Sequence, residues 1–468
     1  MEFVIGLDLG TTACKAVALD SSGRITASAS ANYPLYAPQS GWAEQDPQEI
    51  LGGALSALTA LAGKVDPSAA GGLSLSGAMH SVVLLDAHDQ PQGRALTWAD
   101  QRAAAQVKSL REQADSQHVY ELTGCPLVSI YYPAKLRWCL ENLPIKFSRV
   151  TAIKEFVLNR LTGEWASDFS LASATGLVDL RQRCWAPEML SLAGITPDQL
   201  LPLVASRSVV GKLSADTARQ TGFPEGLPVV IGGSDGGMAM LGAGGSTVIT
   251  VGTSGAIRRI VPTPLLDSQA RTWCYILDET RWMAGGAINN GGLVAQWARE
   301  KFYPQETFET MLNEAGEIPP GSGGVVFLPY LSGERSPHWN PWERAIISGI
   351  GLEHSRAHIA HAALEGVAFC LEEVWEIVEG SGPARLTGGI TRAHLWSQIL
   401  CDVLGAPLEL MEAADASAVG AARLGWLGLG QTMPPLPEPD ETLQPDPARH
   451  EIYHQCYLDF KTRYRQNY

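Results

Sequence analysis

Two short turns rich in glycine and threonine each follow an apolar strand. Gly10-Thr11-Thr12 comes after Phe3-Val4-Ile5-Gly6-Leu7, and Gly252-Thr253-Ser254-Gly255 after Thr247-Val248-Ile249-Thr250-Val251. A Gly-Thr turn can aim backbone N–H groups and a hydroxyl at one anion. Read alone, Gly10-Thr11-Thr12 is equally a plain hairpin turn. Its recurrence favours the anion reading, because two such turns from facing domains would hold a triphosphate. Asp8 ends the first strand. A carboxylate beside triphosphate oxygens is repulsive unless a cation lies between, so Asp8 implies Mg2+, bound directly or through water. Lys15, on the strand that follows, supplies a point charge for phosphate oxygens.

Asp235 is the second informative carboxylate. It stands between Gly233-Ser234 and Gly236-Gly237, straight after the apolar run Val229-Val230-Ile231. Glycines on both sides let a substrate come close to the backbone. Asp is also a preferred helix N-cap, and the two readings are compatible: a carboxylate at a helix start can accept the proton of an attacking hydroxyl. Two further segments carry weaker signals. Met79-His80 lies in a loop after a glycine-rich strand, where a lone histidine is more often structural than catalytic. Thr97-Trp98-Ala99-Asp100-Gln101-Arg102 combines an indole face with Asp100 and Arg102, which suits a polyol, although a helix cap with a packed tryptophan needs no ligand.

Other chemistries lack their residues. There is no GxxxxGK[ST] phosphate loop, no GxGxxG fingerprint and no convincing Gly-x-Ser-x-Gly elbow. The eight cysteines are scattered without a CxxC pair, which reads as reduced core thiols rather than zinc ligands or disulfides. A net charge of −15 disfavours nucleic acid and anionic membranes as partners. The N-terminus carries no basic segment, apolar leader or cleavage site, and no apolar run is long enough to span a bilayer, so a cytoplasmic location is expected.

The elements that must position these groups follow from periodicity and punctuation. With 468 residues, 45% apolar and 18% charged, the chain is long enough for several well-cored domains. Strands are predicted over 3–7, 15–19, 71–76, 82–85, 229–231, 247–251, 256–261 and 384–386. Helices are predicted over 47–62, 101–113, 152–162, 394–404 and 448–465, with a long one capped by Ser355. The proline-rich stretch 433–447 reads as an extended crossing segment. The strand–turn–strand pattern, met near the start of each half, suggests two structurally similar domains.

As an ordered set, several motifs resemble the FGGY carbohydrate kinases over about residues 3 to 426. They are Asp8-Leu9-Gly10-Thr11-Thr12, Met79-His80, Gly233-Ser234-Asp235-Gly236, Gly252-Thr253-Ser254-Gly255, the segment from Phe327 to Arg335 and Thr387-Gly388-Gly389. The resemblance implies an α/β fold of two actin-like, ribonuclease H-like domains with an ATP/sugar cleft between them. A sugar-binding and catalytic domain would span 1–240 and a nucleotide-binding domain 241–468. It implies ATP and Mg2+ as cofactors and a sugar or sugar acid as the other partner; homodimers are common among such kinases. Asp235 then corresponds to the general base on the acceptor hydroxyl, and Asp8, with Asp235 near it, to the carboxylate supporting Mg2+. Gly10, Thr11, Thr12, Lys15, Gly252 and Thr253 fall on the phosphate side, and Gly388 and Gly389 on the adenosine side. Gly292 precedes a helix that closes over the nucleotide. Met79, His80, Trp98, Asp100, Arg102 and Gly236 fall on the acceptor side.

Within the family, the segments 76–81, 97–102, 171–177 and 252–258 are most similar to gluconokinases, so D-gluconate is the expected acceptor and 6-phosphogluconate the product. Xylulokinases more often carry Gly-Gln-Met-His-Gly where this chain has Gly77-Ala78-Met79-His80-Ser81. Cys14 stands where Ser or Thr is common. D-xylulose, D-ribulose or a polyol are the alternative acceptors, and an actin-like ATPase switch without an acceptor is the rival class. A gluconate carboxylate would need a cationic partner, for which Arg102 and Arg258 are the candidates.

Overall fold

The computed structural model describes residues 1–411, 415–436 and 438–468, which divide into two compact units. The first takes 1–243, 261–283 and the described residues from 415 to 436. The second takes 244–260, the described residues from 284 to 411, and 438–468. A single cut near 240 therefore misses two returns of the chain to the first unit. One is held by a strand over Trp273–Ile276, where the Cys274 N–H donates to Gly124 O at 2.9 Å. The other is the helix Ala416–Gly428.

The first unit is built on strands β1 (Phe3–Leu9), β2 (Ala13–Asp20), β3 (Ile25–Asn32), β4 (Ala70–Gly77), β5 (Val209–Lys212) and β6 (Pro228–Ser234). They lie in the order β5-β6-β4-β1-β2-β3. β1, β4 and β6 are mutually parallel, while β2, β3 and β5 run against their neighbours. Burial on both faces explains why β1 is an almost unbroken apolar run. On one side Ile5, Leu7 and Leu9 pack with Ile50 and Leu58 of the helix Pro47–Ala62 and Phe156 of the helix Ile153–Thr162. On the other, Val4, Val17 and Leu19 meet Ala418, Ala422 and Trp426. The helix Pro47–Ala62 starts where its sequence says it should: Asp46 accepts from Gln48 N at 2.8 Å and Pro47 follows.

A separate cluster of short helices, Ala104–Gln113, Ser116–Thr123, Tyr132–Asn142 and Pro187–Ala193, packs Leu110, Val119, Leu136 and Met189 around Val82, Leu84 and Leu96. Only the first of these helices was legible from periodicity.

The second unit repeats the plan. Its strands β7 (Thr247–Val251), β8 (Gly255–Val261), β9 (Trp282–Ile288), β10 (Ala384–Thr387), β11 (Leu408–Leu410) and β12 (Glu441–Leu443) lie in the order β9-β8-β7-β10-β11-β12. β7, β10 and β11 are parallel, as β1, β4 and β6 are. The antiparallel edge strand precedes its neighbour in the first unit and follows it in the second. β12 lies inside the proline-rich stretch read as an extended crossing segment, of which Pro437 is outside the described residues. Ser355 caps the long helix Arg356–Ile377, its N–H donating back to His358 Nδ1 at 3.2 Å.

All eight cysteines are free; six are buried and Cys456 is half-buried, but Cys184 is exposed on a two-residue strand and is not a core thiol. Among the described residues no helix is long and apolar enough to cross a membrane.

Two small-residue helices interlock beneath β1. A Cβ on Gly420 would sit 1.8 Å from Met238 O, and one on Gly242 would sit 1.9 Å from Ala416 O. Both obstacles are backbone, which cannot step aside. Gly420→Ala is therefore expected to cost about 3 kcal/mol through overpacking, read as a fall of several degrees in the first thermal unfolding transition. An unchanged midpoint would show that the two helices are free to slide apart.

Candidate active site

The register brings the ends of the three parallel strands of the first unit level. Asp8 on β1 lies opposite Lys15 on β2 and Ser76 on β4, and Gly77 on β4 lies opposite Ser234 on β6. The loops leaving these strand ends carry Gly10-Thr11-Thr12, Met79-His80 and Asp235. In open α/β sheets, ligands bind at this carboxyl edge.

Ser76 Oγ donates to Asp8 Oδ1 at 2.6 Å. Burial, aided by the negative charges of Asp235 and Asp415, pushes the Asp8 carboxyl up to about 6, against the opposing pull of Ser76 and Lys15. Asp235 opens the helix Asp235–Ala243 and accepts from Gly236 N at 2.7 Å. It is not the helix cap. Ser234 takes that part, its Oγ accepting from Gly237 N at 3.1 Å and bonding to Ser170 Oγ at 2.8 Å. The interlocked helices fix Asp235 from behind, with Ser417 Oγ donating to Asp235 O at 3.2 Å. Lys15 Nζ pairs with Asp415 Oδ1 at 2.8 Å. The charge expected on phosphate oxygens is thus shared with a carboxylate the sequence reading did not single out.

The first Gly-Thr turn has its carbonyls tied inward. Gly10 O accepts from Tyr33 Oη at 2.5 Å, Thr11 O from Gln45 Nε2 at 2.6 Å, and Thr12 O from Tyr33 N at 3.1 Å. An anion at this turn would meet N–H groups and hydroxyls rather than carbonyl oxygens. Trp98 is one-third exposed, and its Nε1 donates to Thr11 Oγ1 at 3.0 Å, joining the acceptor segment to the phosphate turn.

His80 is buried with φ at 66°, a left-handed conformation uncommon outside glycine. Its Nδ1 bonds to Ala174 O at 2.8 Å, and its ring meets Tyr131 edge-on at 5.2 Å. Met79 beside it is half-buried.

Asp100 and Arg102 do not face a ligand. The Arg102 side chain is 3% exposed, lies over the Trp42 ring at 3.6 Å, and donates to Asp100 and to Glu44 Oε1 at 2.7 Å. Asp100 also accepts from Ala43 N at 2.8 Å. Together they brace the Trp98 loop. Arg258, the other cation considered for a sugar acid, lies on β8 of the second unit opposite Val248, 3.4 Å from Thr250 Oγ1. Arg102 is thus paired inside the first unit, and Arg258 lies in the sheet of the second.

In the second unit, Gly252, Thr253, Gly292, Leu293, Gly389 and Trp396 help line a cavity of about 450 Å3, within the range of small-molecule sites. The second Gly-Thr turn is stitched to the start of the helix Gly292–Phe302: Gly292 N donates to Gly252 O at 2.7 Å and Leu293 N to Thr253 O at 3.1 Å. Gly388 adopts φ 96°, and a side chain there would strike Val251 O at 2.4 Å, so only glycine brings this turn against β7. Glu334, from the motif 327–335, is buried, with its carboxyl pushed up to about 7 by that burial. It accepts from Asn289 N at 2.5 Å and Asn290 Nδ2 at 3.1 Å, which sets the turn entering the Gly292 helix.

Sequence reasoning missed Ser76, Asp415, Gln45, Lys135 and Glu334. Ser76 left a local trace as one of two serines in β4, and Glu334 as part of the motif 327–335.

The residues present fit a magnesium ion. Asp8 and Asp235 are hard oxygen donors at one strand edge; burial raises the Asp8 carboxyl and the negative charge of Asp235 adds to it, and a divalent cation would offset both. Among the described residues no group of three or more His, Cys, Asp or Glu that could hold a metal is found.

Comparisons with known proteins identify the family. Residues 3–242 match the N-terminal domain of the FGGY family of carbohydrate kinases, and residues 247–429 match its C-terminal domain. The chain is 35% identical over 452 residues to the gluconokinase of Bacillus subtilis (strain 168), covering 92% of this chain and 88% of that one. It is 30% identical over 444 residues to the xylulose kinase of the same organism, covering 92% and 89%. The crystal structure of gluconate kinase from Lactobacillus acidophilus superposes with a TM-score of 0.95 at 29% identity, over 98% of this chain and 97% of that one. The ligand-bound xylulose kinase from Lactobacillus acidophilus superposes with a TM-score of 0.94 at 30% identity, over 99% and 97%.

Proposed function

The chain belongs to the FGGY family of carbohydrate kinases, and from that premise we propose that it transfers the γ-phosphoryl group of ATP to a hydroxyl of D-gluconate, giving 6-phosphogluconate. Kinases of this family take their phosphoryl group from ATP. One observation carries the chemistry. Asp235 opens a helix whose capping is done by Ser234, at the same strand edge as Asp8. Its carboxylate accepts from Gly236 N at 2.7 Å and is not the group that caps the helix.

In this reading Asp235 orients the acceptor hydroxyl and takes its proton as the phosphoryl group is transferred. The N–H groups of Thr11 and Thr12, with their hydroxyls, receive phosphate oxygens, Gly10 N closing the turn on Ala13 O at 3.1 Å, and Lys15 moderates their charge. The turns at Gly252-Thr253 and Gly388-Gly389 and the helix start at Gly292 cradle the rest of the nucleotide. Asp8 and Asp235 would hold Mg2+, which supplies neutralisation of phosphate charge. Met79, His80 and Trp98 shape the acceptor site, and Gly236 lets the acceptor reach Asp235. Asp100 and Arg102 hold the Trp98 loop in place.

Gluconate is supported by the higher identity to a gluconokinase than to the xylulose kinase of the same organism, 35% against 30%. D-xylulose is the second reading, favoured by the engagement of Arg102 with Asp100 and Glu44, which leaves a sugar acid without that partner. An acceptor panel of D-gluconate, D-xylulose, D-ribulose and glycerol with MgATP, followed by coupled ADP release, separates them. A kcat/KM for gluconate at least about tenfold above that for xylulose is expected, one significant polar contact's worth of discrimination. The reverse order would transfer the assignment to xylulose.

A further inference from the structure

We propose that Lys135 is a positioning residue for the acceptor: its ammonium group clamps the two loops that shape the acceptor site into one arrangement. Lys135 lies in the first turn of the helix Tyr132–Asn142 and is fully buried. Its Nζ donates to His80 O at 2.7 Å and to Thr97 O at 2.7 Å. These carbonyls belong to different segments. One sits in the loop after β4 with its residue in the left-handed conformation, and the other immediately precedes Trp98.

The same helix start reinforces the first loop, since the Tyr132 hydroxyl donates to Ser81 O. The second loop is anchored at its far end by the Asp100–Arg102–Glu44 set, and Asp100 also favours the charge on Lys135. Burial works against that charge and draws the Lys135 amine down to about 7. A long cationic side chain kept out of water needs its donors satisfied, and two of its three are spent on loop carbonyls rather than on the helix that carries it. A residue serving only the core would have no reason to hold one backbone atom from each acceptor loop.

The inference rests on these loops having the acceptor role given to them above. The test compares wild type with Lys135→Met, which keeps the bulk and removes both hydrogen bonds, and Lys135→Gln, whose amide retains two donors. Steady-state KM for the acceptor that wild type phosphorylates and KM for ATP are measured for each. Lys135→Met is expected to raise the acceptor KM about tenfold or more, the effect of losing one to two hydrogen bonds to loop position, with the ATP KM within twofold of wild type. Lys135→Gln is expected to restore the acceptor KM by severalfold relative to Lys135→Met. Should only one variant fold, a selective rise in acceptor KM in that variant supports the clamp. Wild-type turnover is the control that isolates the inference. With it intact, an unchanged acceptor KM, or an equal rise in both constants, overturns the role of Lys135 and leaves the function standing.

Discussion

Asp235→Asn is expected to fold as the native chain does and to lose about 10²–10⁴-fold in kcat, the usual cost of removing a general base. The separation of effects follows from the local architecture. Ser234 and not Asp235 satisfies the helix N-terminus, so no cap is lost. The bond from Gly236 N at 2.7 Å can be kept by the amide oxygen of asparagine. The backbone is pinned by Ser417 and by the interlocked helices, neither of which the substitution touches. Asparagine occupies the same volume but cannot take a proton from a hydroxyl. Turnover within threefold of wild type, with an unchanged thermal midpoint, would remove Asp235 from the base role.

Asp8→Asn is expected to move stability and activity in opposite directions. The Asp8 carboxyl is raised from its usual 3.8 to about 6, chiefly by burial and by the neighbouring charges of Asp235 and Asp415. The folded protein therefore binds that proton more tightly than the unfolded chain does. Ionised Asp8 costs stability above about pH 6, the cost shrinks as pH falls from 6 toward 4, and below that it vanishes. Removing the charge should stabilise the fold by about 1–3 kcal/mol at pH 7.5 and by almost nothing at pH 4. Activity should fall by about 10²–10³-fold, as when one electrostatic contact to a transition state is deleted. Thermal midpoints of both proteins measured from pH 4 to 8 test this directly. A gap that stays constant across the range, or an Asp8→Asn protein less stable at pH 7.5, would show that the buried Asp8 charge does not cost the fold stability.

How legible was this site in the sequence? Asp8 stood out at a strand end just before Gly10-Thr11-Thr12, and Asp235 because it stands among glycines after an apolar strand. The Gly-Thr turns were legible for the same reason, and their repetition foretold the repeated sheet order. What stayed hidden was made by partners distant in the chain. Asp415 reaches Lys15 only because the chain returns to the first unit after an excursion through the second. Arg102 looked like a ligand for a sugar acid, since nothing near it in sequence announces Glu44, Trp42 or Trp138 as its companions. Lys135 sits in Tyr132-Pro133-Ala134-Lys135-Leu136, which reads as an ordinary helix start. Periodicity tells which face of a helix is buried, but not that a cation on that face holds a loop from elsewhere. β12 was masked by the prolines around it, because an edge strand tolerates proline where a central one does not.

The helix Ala416–Gly428 covers Val4, Val17 and Leu19, and its Trp426 Nε1 donates to Leu19 O at 3.1 Å. A strand is thus sheltered by a helix whose Trp426 is made 407 residues after the Leu19 it bonds to. At about 5–20 residues per second, the 1–243 portion waits on the order of ten seconds or more for its lid. During that interval one face of its sheet is bare and oily. A nascent chain arrested near residue 243 should therefore be a strong client for holdase chaperones, and the same stretch expressed alone should aggregate. Vectorial synthesis delivers the strands of the first sheet well before the helix that shelters them.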